Sequence, residues 1–177
     1  MKRTERNMYK LIIALLSLGI VCCIAVSVWA LFFRESSVVL TPDYAPQESE
    51  SNAEPIPDDN GEKPDVEEGG GAISVEYTDI VTVILSDKKA ELEYANPGRS
   101  THDIILQVVV KDEVIIQSGL IKPGNRVKEL PLLKGAEDLL SEGVYNDCTF
   151  RILSYDPETG EKSMIDTEAK ITVTVTK

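Results

Sequence analysis

The sequence predicts an all-β ectodomain, an antiparallel sandwich of two sheets, preceded by one transmembrane α-helix and a disordered acidic linker. Three observations carry this. Leu11 to Phe33 runs without a charge. The stretch from Arg34 to Gly71 is rich in Pro, Glu, Asp, Ser and Gly and has almost nothing to bury. From Ala72 to Lys177, apolar and polar residues alternate with period two, broken by turn residues every ten or so positions.

The apolar run, 11–33, would reach roughly 34 Å as a helix, enough to cross a bilayer. Lys2, Arg3, Arg6 and Lys10 precede it. The positive-inside rule therefore places the basic leader, 1–10, in the cytoplasm and everything after Phe33 outside, as a single-pass cell-membrane protein. A cleaved signal peptide ending at Val28-Trp29-Ala30 is the rival reading, but its apolar region would exceed the usual ~7–15 residues. Cys22 and Cys23 sit mid-span behind residues too large for a lipidation site, so membrane packing accounts for them.

Residues 34–71 carry two basic and eleven acidic side chains. A segment so poor in apolar groups cannot offset its ordering entropy and is expected to be a disordered stalk. "DDNGE", Asp58 to Glu62, has the wrong glycine position and ligand spacing for a calcium loop. The whole chain has a formal net charge of −12 without a basic stripe. That argues against nucleic acid as a partner, and against the domain lying on anionic lipid.

Within 72–177, Ile73, Val75 and Tyr77 share one parity, as do Ala90, Leu92 and Tyr94, and Ala169, Ile171, Val173 and Val175. Each set marks a strand with one buried face. "IILQVVV", Ile104 to Val110, is apolar on both parities, as a central strand would be, and "EVIIQSG" follows almost at once. Asn96-Pro97-Gly98, Lys122-Pro123-Gly124-Asn125 and the stretch Asp156 to Gly160 read as turns. Seven or eight strands are expected. One helical piece, Lys134 to Glu142, is expected to end at a Gly143 cap.

Leu140-x-x-Gly143-x-Tyr145 resembles the corner before strand F of immunoglobulin-like domains, where a tyrosine hydroxyl bonds to backbone a few residues upstream. The resemblance implies an immunoglobulin-like sandwich with Leu140, Gly143 and Tyr145 as its structural corner. Cys148 departs from the antibody pattern: it lies three residues after the tyrosine rather than two, and the ectodomain has no second cysteine.

Cys148 and the lone His102 are the only material for a thiol nucleophile. Cys148 shares its parity with Phe150 and Ile152, which predicts a buried, inert thiol. No metal-ligand spacing, phosphate loop, dinucleotide fingerprint or serine elbow is present, so no cofactor, metal or catalytic residue is assigned. Exposed strand edges are then the expected docking surfaces, because their backbone groups accept a partner strand. Glu113, Val114, Ile115, Ile116, Gln117 and Ser118 form the candidate interaction edge, against the alternative of an interior strand paired on both sides.

The basic leader, the single anchor, the acidic stalk and the run "ANPGRSTHDIILQVVVKDEVIIQSGLIKPG" together resemble small membrane-anchored surface proteins of Gram-positive bacteria. That resemblance implies an extracellular location, a β-sandwich and no carried-over catalytic residues. The expected function is non-enzymatic: protein contacts within a cell-envelope or surface assembly. A carbohydrate-binding module is the alternative, and a thiol-dependent or hydrolytic enzyme a more remote one.

Overall fold

The computed structural model describes residues 10, 13, 16–23, 40–62, 72–164 and 166–177, in two units, Met1–Val39 and Leu40–Lys177. In the first unit the described residues are α-helical and exposed. Among the described residues no helix is long and apolar enough to cross a membrane. The rest of the predicted span 11–33 lies outside them, as do residues 1–9 and the tether positions 34–39 and 63–71.

The second unit is mostly β. Its strands are β1 (Glu54–Pro55), β2 (Glu76–Tyr77), β3 (Ile80–Ile84), β4 (Lys89–Asn96), β5 (Asp103–Val110), β6 (Glu113–Gln117), β7 (Asn125–Pro131), β8 (Gly143–Tyr155) and β9 (Thr167–Thr176). They form one hydrogen-bonded sheet in the order β1-β7-β4-β3-β9-β8-β5-β6, with β2 beside β4. The expected purely antiparallel pairing is corrected at one place. β3 runs antiparallel to β4 but parallel to β9, from Ile80 opposite Thr172 to Ile84 opposite Thr176, so the sheet is mixed. Parallel neighbours need a long crossover, and here everything between the first long strand and the last supplies it.

The sheet curls around one core. Tyr94 on β4 and Phe150 on β8 are not neighbours in the sheet, yet their rings meet edge to face at 5.7 Å. The period-two pattern sets which side chains enter. On β4, Ala90, Leu92 and Tyr94 are buried between exposed Glu91 and Glu93; on β9, Ile171, Val173 and Val175 are buried. These meet Val81 and Val83 of β3, Leu106 and Val108 of β5, and Val127 and Leu130 of β7. A fully buried aliphatic or aromatic side chain contributes about 1.5–3 kcal/mol, so this cluster is the main source of stability.

The predicted helix at 134–142 is corrected to a single 3-10 turn, Ala136–Leu139. Gly135 enters it at φ 82, no side chain caps it, and Leu139 stays 53% exposed. A segment this short gains too little from helical hydrogen bonds to overcome nucleation; burial of Ala136 and Leu140 holds it instead. Gly143, expected as a helix cap, begins β8.

The largest departure concerns the tether. Residues 40–62 were expected to be disordered and instead lie along the β unit as a strap. Ala45 donates to the Gly160 carbonyl at 2.6 Å, Lys162 to that of Asp43 at 2.9 Å, and the Tyr155 hydroxyl to that of Pro42 at 3.0 Å. Under the strap lies a second apolar cluster, Ile105, Leu120, Leu153 and Tyr155, with Ala45 against it. All eight residues of β5 are buried: Ile104, Leu106, Val108 and Val110 line the main core, while on the other face Ile105 enters the second cluster and the Gln107 amide donates to the Leu40 carbonyl.

Candidate interaction site on the strand edge

The predicted interaction edge falls on β6 and the residues just after it. β6 ends the sheet order, so it is an edge strand, and Val110 to Gln107 of β5 pair with Glu113 to Gln117 on its inner side. A bulge between Val108 and Val109 leaves Ile115 as an extra residue, which is how adjacent Ile115 and Ile116 are both fully buried. The outer side is partly closed. Leu133, just after β7, donates its N–H to the Ile115 carbonyl at 2.9 Å. Glu113 is exposed and Val114 half-buried, whereas Ser118 is buried, its hydroxyl accepting from Leu106 N–H at 2.8 Å.

After β6 the chain crosses from β5 to β4. Ile121 exchanges two backbone hydrogen bonds with Ile104, at 2.8 and 3.0 Å. Four residues later Asn125 is paired with Asn96 on β4. The buried Asn96 amide pins the crossing by donating to the carbonyls of Ile121 and His102, both at 3.0 Å. The outer side of this crossing segment is where an added strand could bond, and the chain's own strap occupies it.

Leu120 N–H donates to the Glu48 carbonyl at 3.2 Å, and Glu50 N–H returns a bond to Leu120 at 2.9 Å. The Glu50 carboxylate accepts from Gly119 N–H at 2.6 Å. After a turn at 51–52, β1 pairs antiparallel with β7, Glu54 opposite Arg126 and Pro55 opposite Asn125. One Glu54 oxygen faces both Arg126 Nε at 2.8 Å and Lys128 Nζ at 2.7 Å. Lys128 and Arg126 hold this carboxyl below the usual carboxylate range. Ile56 N–H then donates to the Gly124 carbonyl at 2.9 Å, and Asp59 accepts from the N–H groups of Gly98 and Gly61 at 2.5 and 2.9 Å. Those two bonds likewise hold Asp59 low.

Two glycines let the strap lie close: a Cβ on Gly98 would stand 2.7 Å from Gly61 Cα, and one on Gly119 3.0 Å from the Glu50 backbone. Sequence reasoning missed the strap because its composition reads as solvated chain. The signal that could have found it is the second apolar parity, Ile105 on β5 with Leu153 and Tyr155 on β8, which needs a cover that no predicted strand provides.

The Tyr145 hydroxyl donates to the Ser141 carbonyl and accepts from Ser141 N–H, both at 3.0 Å. Gly143 stands between them at φ 146 and Leu140 is buried. The odd spacing to Cys148 has a structural reason. Tyr145 pairs with Val173 and Cys148 with Ile171, so a bulge absorbs one extra residue of β8.

Cys148 is 1% exposed, its thiol lies 3.4 Å from the Tyr145 carbonyl, and burial pushes its pKa up. It pairs with Val110 at one end of β5, while His102 precedes Asp103 at the other. Eight residues of strand separate the two positions, roughly 26 Å, so the fold does not bring thiol and imidazole together. Among the described residues no group of His, Cys, Asp and Glu is arranged to hold a metal ion. A shallow cleft of about 740 Å³ lies between strap residues 56–62 and the strand entry at 72–76, with Arg99 on its rim; Arg99 is already engaged by Ser74 and Glu76.

No family model, curated protein or solved structure matches the chain.

Proposed function

We propose that this chain is a membrane-anchored extracellular β-sandwich of the immunoglobulin-like type, non-enzymatic, which acts through protein contacts in a cell-envelope or surface assembly. The charge-free run at 11–33 behind a basic leader supports the anchor and its orientation. Two features support the sandwich. The curled sheet brings Tyr94 of β4 against Phe150 of β8, strands that are not neighbours in it. The Tyr145 hydroxyl closes on Ser141 at the entry to β8, as in the tyrosine corner of such domains.

The observation that carries the functional reading is the crossing segment after β6, an edge that takes up an extended chain through backbone bonds and carboxylate contacts. This is recognition by strand addition, in which main-chain bonds hold the ligand and side chains select it. A photocrosslinking side chain at Glu113, in the full chain on intact cells, tests the reading. Capture of a defined surface protein that is not captured from Glu91, on the charged face of β4, is the expected result. No capture from the edge, or survival of the domain under external protease along with cytosolic markers, would overturn it.

A further inference from the structure

The strap makes two carboxylate contacts with the edge, four residues apart. Glu50 reaches the Gly119 N–H and Glu54 reaches Arg126 and Lys128. Between and beside them run the Glu48–Leu120, Glu50–Leu120 and Ile56–Gly124 backbone bonds. The edge is therefore specified for an extended segment with acids at those two positions. Little of that specification is hydrophobic: within the segment, Ala53 is the residue packed against the main core.

We infer that the crossing edge, residues 118–126, is an exchangeable strand site whose trans occupant is the 48–56 segment of a second copy of this chain. This rests on the reading of the edge as a protein-contact surface and names its partner. Charge and register complementarity favour this occupant. In a chain of net charge −12, Arg126 and Lys128 are a local cationic pair, and the strap already presents the matching acid in register with β7. A second copy offers the same segment with nothing redesigned, and exchange of an identical element between protomers is a low-cost route to association. The cis strap competes at an effective concentration set by its own linkage, typically millimolar. Exchange is therefore weak until the cis contacts are loosened.

The probe is a fluorescent peptide of residues 46–57, titrated against the full chain in detergent. Glu50→Ala with Glu54→Ala loosens the cis strap, and that variant is expected to bind the peptide at least tenfold more tightly than the wild type. A second variant keeps both strap carboxylates: Ser49→Cys with Leu120→Cys, at paired positions, locks the strap when oxidised and should bind no peptide until reduced. Retained protection of Cys148 from thiol reagents verifies folding in each case. Equal binding by wild type and loosened chain, or binding by the oxidised locked chain, overturns the exchange site. Equal binding of a scrambled peptide that keeps only the two glutamates overturns the second copy as occupant. If exchange fails while the Glu113 crosslink captures a different protein, this inference falls and the functional reading stands.

Discussion

Tyr145 satisfies both backbone groups of Ser141 with one hydroxyl, so its oxygen can be removed with little change of shape. Tyr145→Phe is expected to cost about 1–2 kcal/mol, the usual net worth of two such bonds. A lowered urea midpoint at unchanged slope would register it. Cys148 tests the other residue-scale claim. With its thiol buried and its pKa raised, it should resist alkylation in the native chain and react fully on unfolding, read by mass spectrometry of its own peptide. Rapid native labelling would mean an open, reactive thiol. Both roles were legible in the sequence, the corner from its Leu-x-x-Gly-x-Tyr spacing and the thiol from sharing a parity with Phe150 and Ile152. What was not legible was the bulge that reconciles them, since the extra residue between Tyr145 and Cys148 has meaning only against the Val173–Ile171 step of the partner strand.

At the scale of elements, the strap is held by carboxylates, and its hold should depend on pH. The pKa of Glu54 is lowered chiefly by Lys128, and that of Asp59 chiefly by the Gly98 N–H. A depressed carboxylate stabilises the folded arrangement above the ordinary carboxylate range and loses that contribution as pH falls through its lowered folded value. Strap amides at 48–61 are therefore expected to lose protection, measured against their intrinsic exchange rate at each pH, as pH falls from about 5 toward 3, before those of β5 and β8. Simultaneous loss of protection everywhere would refute a separate strap. Gly119→Ala attacks the same element sterically, because the new Cβ meets the Glu50 backbone at 3.0 Å. It should raise proteolysis within 40–62 and leave the β8–β9 pairing protected. The strands were readable because their alternation is local. The strap was not, because an acidic Pro-rich segment with scattered apolar residues becomes ordered only through an edge and a cluster built by residues far along the chain.

For the whole molecule, the strap moves the start of the folded unit from residue 72 to Leu40. A fragment beginning at Ala72 would uncover Ile105, Leu120, Leu153 and Tyr155. It should be less stable than Leu40–Lys177 by at least ~2 kcal/mol, about one fully buried large side chain, and more prone to associate. Equal unfolding midpoints for the two fragments would show that the strap adds nothing. Fold class was readable from periodicity, but the mixed character of the sheet was not: nothing in the pattern of β3 or β9 says that the first long strand and the last lie side by side and point the same way.

That parallel alignment governs how the domain bears tension. Pulling its two chain ends apart draws β3 and β9 in opposite senses along their common axis, so the five register pairs from Ile80 with Thr172 to Ile84 with Thr176 share the load together. The strap, met first by a pull from the N-terminal side and fastened at scattered points, peels bond by bond. A domain built this way yields at its rim under modest force while its body stays intact.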